Sequence, residues 1–501
     1  MTRLAAVKRG LLVGLIVGVV ISSFRFTINN LLAIWKQLYH FAGSSVLGFA
    51  LVILLFIILT LIIGRFIKHN SHIMGSGIPE VELQLIDKLK LNPISILVSK
   101  FIAGALSIST GGFLGREGPS VQLGAAVGQI YAEKFRLTNN DWRLLVATGA
   151  ASGLSAAFGA PLAGTMFVLE EISHSFSSLL WIEALSGSLV ADIVSDHFFG
   201  LKPVLYIHYE NSFPLKYYWL LLILGLILGI LGFFYQEVTL NVHFLYKFFK
   251  RIPRENQIIV MLVTILPIGI FYPQLLGGGE NLIKILPTAK ISLAVGITFF
   301  LIRFIFSAIS FGSGAPGGIF MPILTLGALI GLIVGKLMII VNLMPVLYLP
   351  NLIIFSLAGY FACISKAPFT AIILIAEMVG SLSHLLPLTF VSLVAYLLID
   401  ILGGAPIYES LSKRIALKHE LSYKNSKLVD FEFSVSSLGE LSNKEIREIT
   451  WPHNVILIKV LRDDAELLGK GDLILQPKDR LILLAHVEDI AKIKHELSVL
   501  N

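Results

Sequence analysis

Apolar stretches recur along most of the chain, at roughly 10–22, 45–67, 94–114, 143–170, 179–199, 217–245, 257–276, 291–311, 319–345, 351–376 and 384–402, with glycine and proline breaks between and within them. Crossing the ~30 Å hydrocarbon core of a bilayer takes about 20 helical residues, and several of these stretches fall short. Interrupted helices at membrane depth occur where the loosened backbone is buried in protein or lines a watery cavity. The pattern therefore predicts a polytopic membrane protein with a transport pathway. Lys8-Arg9 followed by the run from Gly10 to Ile21 imitates a signal peptide, but the run continues amphipathically through Trp35 without a small-residue cleavage site. It reads as the first membrane helix.

Past Leu417 the pattern changes character. A polar linker is expected over 417–430, then a strand over 431–435, a short helical stretch over 443–449 and a strand over 455–461. Gly469-Lys470-Gly471-Asp472 and Pro477-Lys478-Asp479-Arg480 mark turns around further strands at 473–475 and 481–485, and a helix over 487–497 completes a small α+β domain. The expected organisation is a membrane body over 1–416, divided near 200–215, a linker over 417–430, and a tail domain over 431–501.

Composition agrees with this division. Of 501 residues 55% are hydrophobic and 14% charged, and the mean hydropathy is +0.83. Of 39 basic and 32 acidic residues, 12 and 14 follow Leu417, so the positive excess belongs to the body. Basic residues flanking membrane spans report orientation more than nucleic-acid binding. Lys247, Lys250, Arg251 and Arg254 form one cluster and Lys413, Arg414 and Lys418 another, beside the tail, which places the tail on the cytoplasmic side. The single cysteine, Cys363, excludes an internal disulfide and reads as a small buried residue.

The body also repeats itself. Ala160-Pro161 precedes Glu170 by the same spacing as Ala367-Pro368 precedes Glu377, at an offset of 207 residues. Gly115-Arg116-Glu117-Gly118-Pro119 and Gly318-Ile319-Phe320-Met321-Pro322 form a second pair offset by 203. Two related halves are expected, and transporters often build their binding site where the half-helices of such repeats converge.

Three glycine-proline segments carry the chemistry: Gly75-Ser76-Gly77-Ile78-Pro79-Glu80, Gly115 to Pro119, and Gly312-Ser313-Gly314-Ala315-Pro316-Gly317-Gly318-Ile319-Phe320-Met321-Pro322. Glycines free the backbone and proline suits a first helical turn, so each reads as a helix amino terminus with unpaired N–H groups. Such ends attract anions without a lysine or arginine touching them. The expected backbone donors are those of Gly115, Arg116, Gly118, Gly317 and Gly318. A metal-cation pathway would call for clustered carboxylates at membrane depth, and few are present. Glu117, an ionisable group among apolar runs, is a functional candidate on cost alone.

These three motifs, in this order, resemble the CLC family of chloride channels and proton-coupled chloride transporters, and the resemblance extends to Gly403-Gly404-Ala405-Pro406-Ile407-Tyr408. It implies an all-α membrane fold of two inverted repeats with broken re-entrant helices, assembled as a homodimer in the cell membrane with one pore per subunit. It makes Ser76 and Tyr408 hydroxyl donors and Ile319 and Phe320 backbone donors to a chloride ion. Glu117 matches the family's gating glutamate, whose carboxylate competes with chloride for the same donors. Glu171 matches the internal proton acceptor of the exchanging members, which channel members generally lack, while Glu170 reads as structural. His174 could relay protons or simply close a helix. The serine in the first motif points to chloride as substrate rather than nitrate or fluoride. The expectation is a proton/chloride exchanger, with a passive voltage- or pH-gated channel on the same scaffold as the alternative.

The tail resembles the carboxy-terminal ligand-binding domain of potassium-conductance regulators, of the TrkA-C/RCK-C type, in Val460-Leu461-Arg462 before a turn and Gly471-Asp472 before Asp479-Arg480-Leu481. A nucleotide-type effector, such as a cyclic dinucleotide between two tails, or a dimerisation module without a ligand would both fit. No other cofactor and no metal is expected. A potassium-channel reading fails because no Thr-Val-Gly-Tyr-Gly filter occurs. An enzyme is not expected, since no triad, phosphate loop or metal motif stands out.

Overall fold

The computed structural model describes residues 2–207, 212–287, 291–426, 428–436, 439, 441–452, 455–463, 465–486 and 489–499. The chain forms two compact units, Met1–Ser412 and Lys413–Asn501.

The first unit is helical throughout, and among the described residues eight helices are long and apolar enough to cross a membrane. The expected first span over 10–22 is only part of a helix that runs Arg3–Ser44, about 63 Å at 1.5 Å per residue. Gly10 and Gly14 fix one face of it. A Cβ there would meet the Glu183 carbonyl oxygen at 2.4 Å and the Gly187 carbonyl oxygen at 2.2 Å, so only glycine permits this approach to helix Ser178–Phe199. The same close packing joins helix Glu117–Lys134 to helix Asn139–Phe158, where a Cβ on either Gly124 or Gly149 would lie 2.1 Å from the other's carbonyl oxygen. Small residues let membrane helices pack backbone to backbone.

Two stretches that read as continuous are broken instead. The run over 143–170 splits at Gly159 into Asn139–Phe158 and Pro161–Phe167, and the run over 351–376 splits at Lys366 into Leu349–Ser365 and Pro368–Val379. Gly159 and Lys366 both lie in the left-handed region, at φ 65° and 58°, which ends the preceding helix, and the alanine-proline pair then starts the next.

The two short helices that follow exchange carboxylates. Glu170 accepts from the backbone N–H groups of Phe369 (3.2 Å) and Thr370 (2.7 Å), and from the Thr370 hydroxyl at 2.7 Å. Glu377 accepts in return from those of Leu162 (3.1 Å) and Ala163 (2.8 Å). Each glutamate thus caps the amino terminus of the helix related to its own by the repeat, which is direct structural expression of the 207-residue offset.

The tail unit carries a four-stranded antiparallel sheet, in spatial order first, fourth, second, third, from Leu428–Ser434, Val455–Arg462, Ala465–Leu468 and Arg480–His486. Its core gathers Val460, Leu481, Leu483 and Ala485 from the sheet with Ile493 and Leu497 of helix Ile490–Val499. Two sequence expectations need correction. The segment 417–430 is not a linker loop, because helix Ile407–Ser426 runs through most of it and the first strand opens at Leu428. The third strand lies at Ala465–Leu468, where it hairpins onto Val455–Arg462 and continues its ladder, whereas Ile474 makes only an isolated bridge to Glu445. The start of the expected last helix, at 487 and 488, lies outside the described residues.

Removing either capping carboxylate strips two backbone donors of a charged acceptor, and such bonds contribute about 1.5–3 kcal/mol each. Glu170→Ala and Glu377→Ala are each expected to lower the melting temperature of the purified protein measurably and to a similar degree. A fall for one and none for the other would show that the exchange is not reciprocal in energy.

Candidate functional site

The three glycine turns of the first unit meet at one place and are stitched together through their backbones. Gly115 N–H donates to the Gly318 carbonyl (2.7 Å), Gly318 N–H donates back to Gly115 (2.8 Å), and Gly317 N–H donates to Gly75 (2.9 Å). These bonds correct the sequence reading at three positions. The N–H groups of Gly115, Gly317 and Gly318 brace the turns and are not free donors for an anion, because at this depth the competing partner is backbone rather than water. The correction does not touch Arg116, Gly118, Ile319 and Phe320.

Two buried cations hold backbone carbonyls, one at the first of these turns and one at a fourth, Gly277-Gly278-Gly279. Lys100, fully buried in helix Pro93–Ser109, donates through Nζ to the carbonyls of Ile73 (2.9 Å) and Gly75 (2.8 Å). Arg303, fully buried in helix Leu293–Gly312, donates to those of Leu275 (2.8 Å), Gly277 (2.7 Å) and Gly278. Residue 303 stands 203 positions after residue 100, and Gly277-Gly278-Gly279 stands 202 after Gly75-Ser76-Gly77. Each half therefore has a glycine turn clamped by one buried cation. Gly77 and Gly279, at φ 90° and 107°, sit where side chains are strained, and each immediately precedes a helix.

The sequence-predicted side chains converge around this knot. Ser76 and Tyr408 are both buried, and neither Ser76 Oγ nor Tyr408 OH has a hydrogen-bond partner among the described residues. Ser76 Oγ lies so near Gly118 that a Cβ there would be 2.3 Å away. Ile319 and Phe320 open helix Phe320–Ile340, and the Phe320 ring is enclosed by Phe158, Phe167 and Phe361 at centroid distances of 5.0, 6.0 and 4.2 Å. Phe167 in turn meets the Tyr408 ring edge-on at 6.3 Å. Two hydroxyls with spare donors thus stand beside a helix amino terminus inside an apolar wall, an arrangement suited to a weakly held, desolvated anion.

Glu117 is the first residue of helix Glu117–Lys134 and is buried. Its Oε2 packs against Gly115, where a Cβ would be 2.1 Å away, and has no hydrogen-bond partner. Arg116 Nε stands 4.0 Å from Glu117 Oε1. A cavity of about 270 Å³ reaches this carboxylate, lined also by Asn29, Lys36 and Glu280. Glu171 occupies a separate place in a π-helical turn, Val168–Ile172, that continues helix Pro161–Phe167. Such turns often mark functional sites. Glu171 is buried within electrostatic range of Glu82, Glu170 and Glu409. His174 is exposed at the end of that turn, with Nδ1 2.9 Å from the Glu170 carbonyl, in the manner of a helix-closing residue. No cluster able to hold a metal ion occurs among the described residues.

Sequence reasoning missed Lys100, Arg303, Glu280 and Gln122, whose amide donates to the His72 carbonyl at 2.9 Å. A lone charge within an apolar run was the available signal for the first two.

Glycine turns, helix starts and buried hydroxyls in a duplicated helical frame define an anion-handling membrane protein, and comparison with known proteins gives the family. The model described as "Voltage gated chloride channel" matches residues 55–400, and "TrkA-C domain" matches 431–498. The chain is 34% identical over 436 residues to the H(+)/Cl(-) exchange transporter ClcA of Klebsiella pneumoniae strain 342, covering 84% of this chain and 90% of that one. It is equally identical over 429 residues to ClcA of Vibrio parahaemolyticus, covering 83% and 90%. The crystal structure of a slow cyanobacterial Cl-/H+ antiporter superposes with a TM-score of 0.78 at 28% identity, over 84% of this chain and 99% of that one. A eukaryotic CLC transporter, at 22% identity and a TM-score of 0.69 over 82% and 74%, shares the fold. The chain belongs to the voltage-gated chloride channel (CLC) family, with a TrkA-C domain at its carboxy terminus.

Breaking a buried charge cluster by removing one partner costs about 3–5 kcal/mol. Lys100→Met, which strands the Ile73 and Gly75 carbonyls and the Glu80 carboxylate in its electrostatic range, is expected to cut yield and thermal stability sharply. Adding Glu80→Gln should restore part of the loss, and no recovery would place the whole effect on the carbonyls.

Proposed function

We propose that the protein is a secondary active exchanger that moves chloride across a membrane against protons. The observation that carries the proposal is that two buried carboxylates, Glu117 and Glu171, both lie within electrostatic range of Tyr408, whose hydroxyl, like that of Ser76, has no hydrogen-bond partner among the described residues. In this reading Ser76 Oγ and Tyr408 OH donate to chloride together with the N–H groups of Ile319 and Phe320. Arg116 and Gly118 add helix-start N–H groups around Glu117. Uncharged donors hold the ion loosely enough to release it.

Glu117 and chloride then exclude one another. The deprotonated carboxylate is itself an anion and takes the donors at the helix start. Protonation removes its charge, weakens that hold and opens the position to chloride. Glu171 supplies protons from the other face, where Glu82 and Glu409 lie in range. The fact that the ClcA relatives are named as exchangers supports this reading over a passive channel. The protein would work as a homodimer with its tail in the cytoplasm, and the tail would take a nucleotide-type effector.

In liposomes carrying a chloride gradient, with voltage clamped by valinomycin and potassium, wild-type protein is expected to drive protons uphill. Glu117→Gln and Glu171→Gln should abolish proton movement while chloride still flows. Chloride flux without coupled protons in the wild type would make the protein a channel. Tyr408→Phe and Ser76→Ala each remove one hydrogen bond to an anion, so calorimetric chloride binding should weaken by about tenfold or more. Unchanged affinity in both would remove these hydroxyls from the site.

A further inference from the structure

The cavity that reaches Glu117 holds a second carboxylate. Glu280 opens helix Glu280–Ile285 directly after the Gly277-Gly278-Gly279 turn. Its Oε2 takes the Arg116 guanidinium at 2.9 Å, and its Oε1 takes Lys284 Nζ at 2.9 Å. The Arg116 Nη1 also approaches Asn29 Oδ1 at 3.5 Å. Arg116 therefore stands between two carboxylates and is bound to the distant one. Its contact with the neighbouring Glu117 is a 4.0 Å approach that meets no hydrogen-bond distance.

This preference is built into the frame. Arg303 grips the Gly277 carbonyl at 2.7 Å and Thr325 Oγ1 donates to Gly278 at 2.9 Å, so the turn that presents Glu280 is pinned from behind. A Cβ on Gly279 would lie 2.1 Å from Thr325 Oγ1 and 2.5 Å from Arg303 Nη2, which leaves no room for a side chain at this turn. Other charges face the cavity: Lys36 lines it, and Arg25 on the same first helix interacts electrostatically with Arg116, Glu117, Glu280 and Asp196. The Arg25 guanidinium is itself stacked over the Phe199 ring at 4.0 Å. Glu280 is the one carboxylate among the described lining residues besides Glu117.

We propose that Glu280 is a positioning residue for the gating carboxylate: it draws Arg116 away from Glu117 and adds negative charge to the vestibule, and so sets the acidity at which Glu117 admits chloride. The inference rests on the exchanger reading of Glu117. Without Glu280, Arg116 turns to its sequence neighbour, the charged form of Glu117 gains an ion pair, and stronger acid is needed to open the pathway. The vestibule also loses a negative charge that repels arriving chloride.

The test is chloride turnover in liposomes as a function of pH, set equal on both faces, for wild type, Glu280→Gln, Glu280→Asp and Glu117→Gln. Opposite charges within about 4–6 Å move titrations by about one unit or more. Glu280→Gln should shift half-maximal turnover to lower pH by about that much. Glu280→Asp, which keeps the charge, should return towards the wild-type curve. In a Glu117→Gln background the Glu280→Gln shift should vanish. A uniform loss of rate with an unmoved pH profile, or a shift towards higher pH, would overturn the proposal. If the Glu117→Gln protein keeps the wild-type pH profile, the gating assignment itself fails, which is a result distinguishable from failure at Glu280.

Discussion

A helix that begins inside a membrane protein exposes N–H groups that lipid cannot satisfy, and the structure is organised around that constraint. The three glycine turns answer it by bonding to one another, while Lys100 takes carbonyls at the first of them and Arg303 those of a fourth turn, Gly277-Gly278-Gly279. In the proposed function, only the donors not used in this bracing are left for a passing ion.

The same logic governs the reciprocal caps. Glu170 and Glu377 are carboxylates in an apolar setting, where an isolated charge is costly, yet each meets two N–H groups at the start of a helix, where the dipole favours it. The contrast with Glu171 is instructive. It follows Glu170 directly in the same π-helical turn and is buried in electrostatic range of other acids, Glu82, Glu170 and Glu409. One residue of register separates a carboxylate that caps a helix from one set among other acids.

Much of this was legible in the sequence. The apolar runs announced the membrane body, the glycine-proline motifs announced helix starts, and the 207-residue spacing announced two halves. What escaped was tertiary. The run over 143–170 does not reveal that Gly159 turns left-handed, and a glycine motif does not say which N–H groups will pair with a partner motif two hundred residues away. The turn signals at 469–472 and 477–480 point to a strand over 473–475, but pairing with the preceding strand favours Ala465–Leu468. Glu280 gave no periodic signal at all, since its meaning depends on Arg116, 164 positions earlier.

The two glycine knots also differ in one respect that their shared backbone conceals. At matching places, one half carries Glu117 and the other Phe320, and one turn carries Ser76 where the other has Gly278. A duplicated frame with identical contents would treat its two faces alike. Here the glycine turns repeat and their contents do not, so at this place the two halves are told apart by side chains such as Ser76, Glu117 and Phe320 rather than by the backbone that carries them.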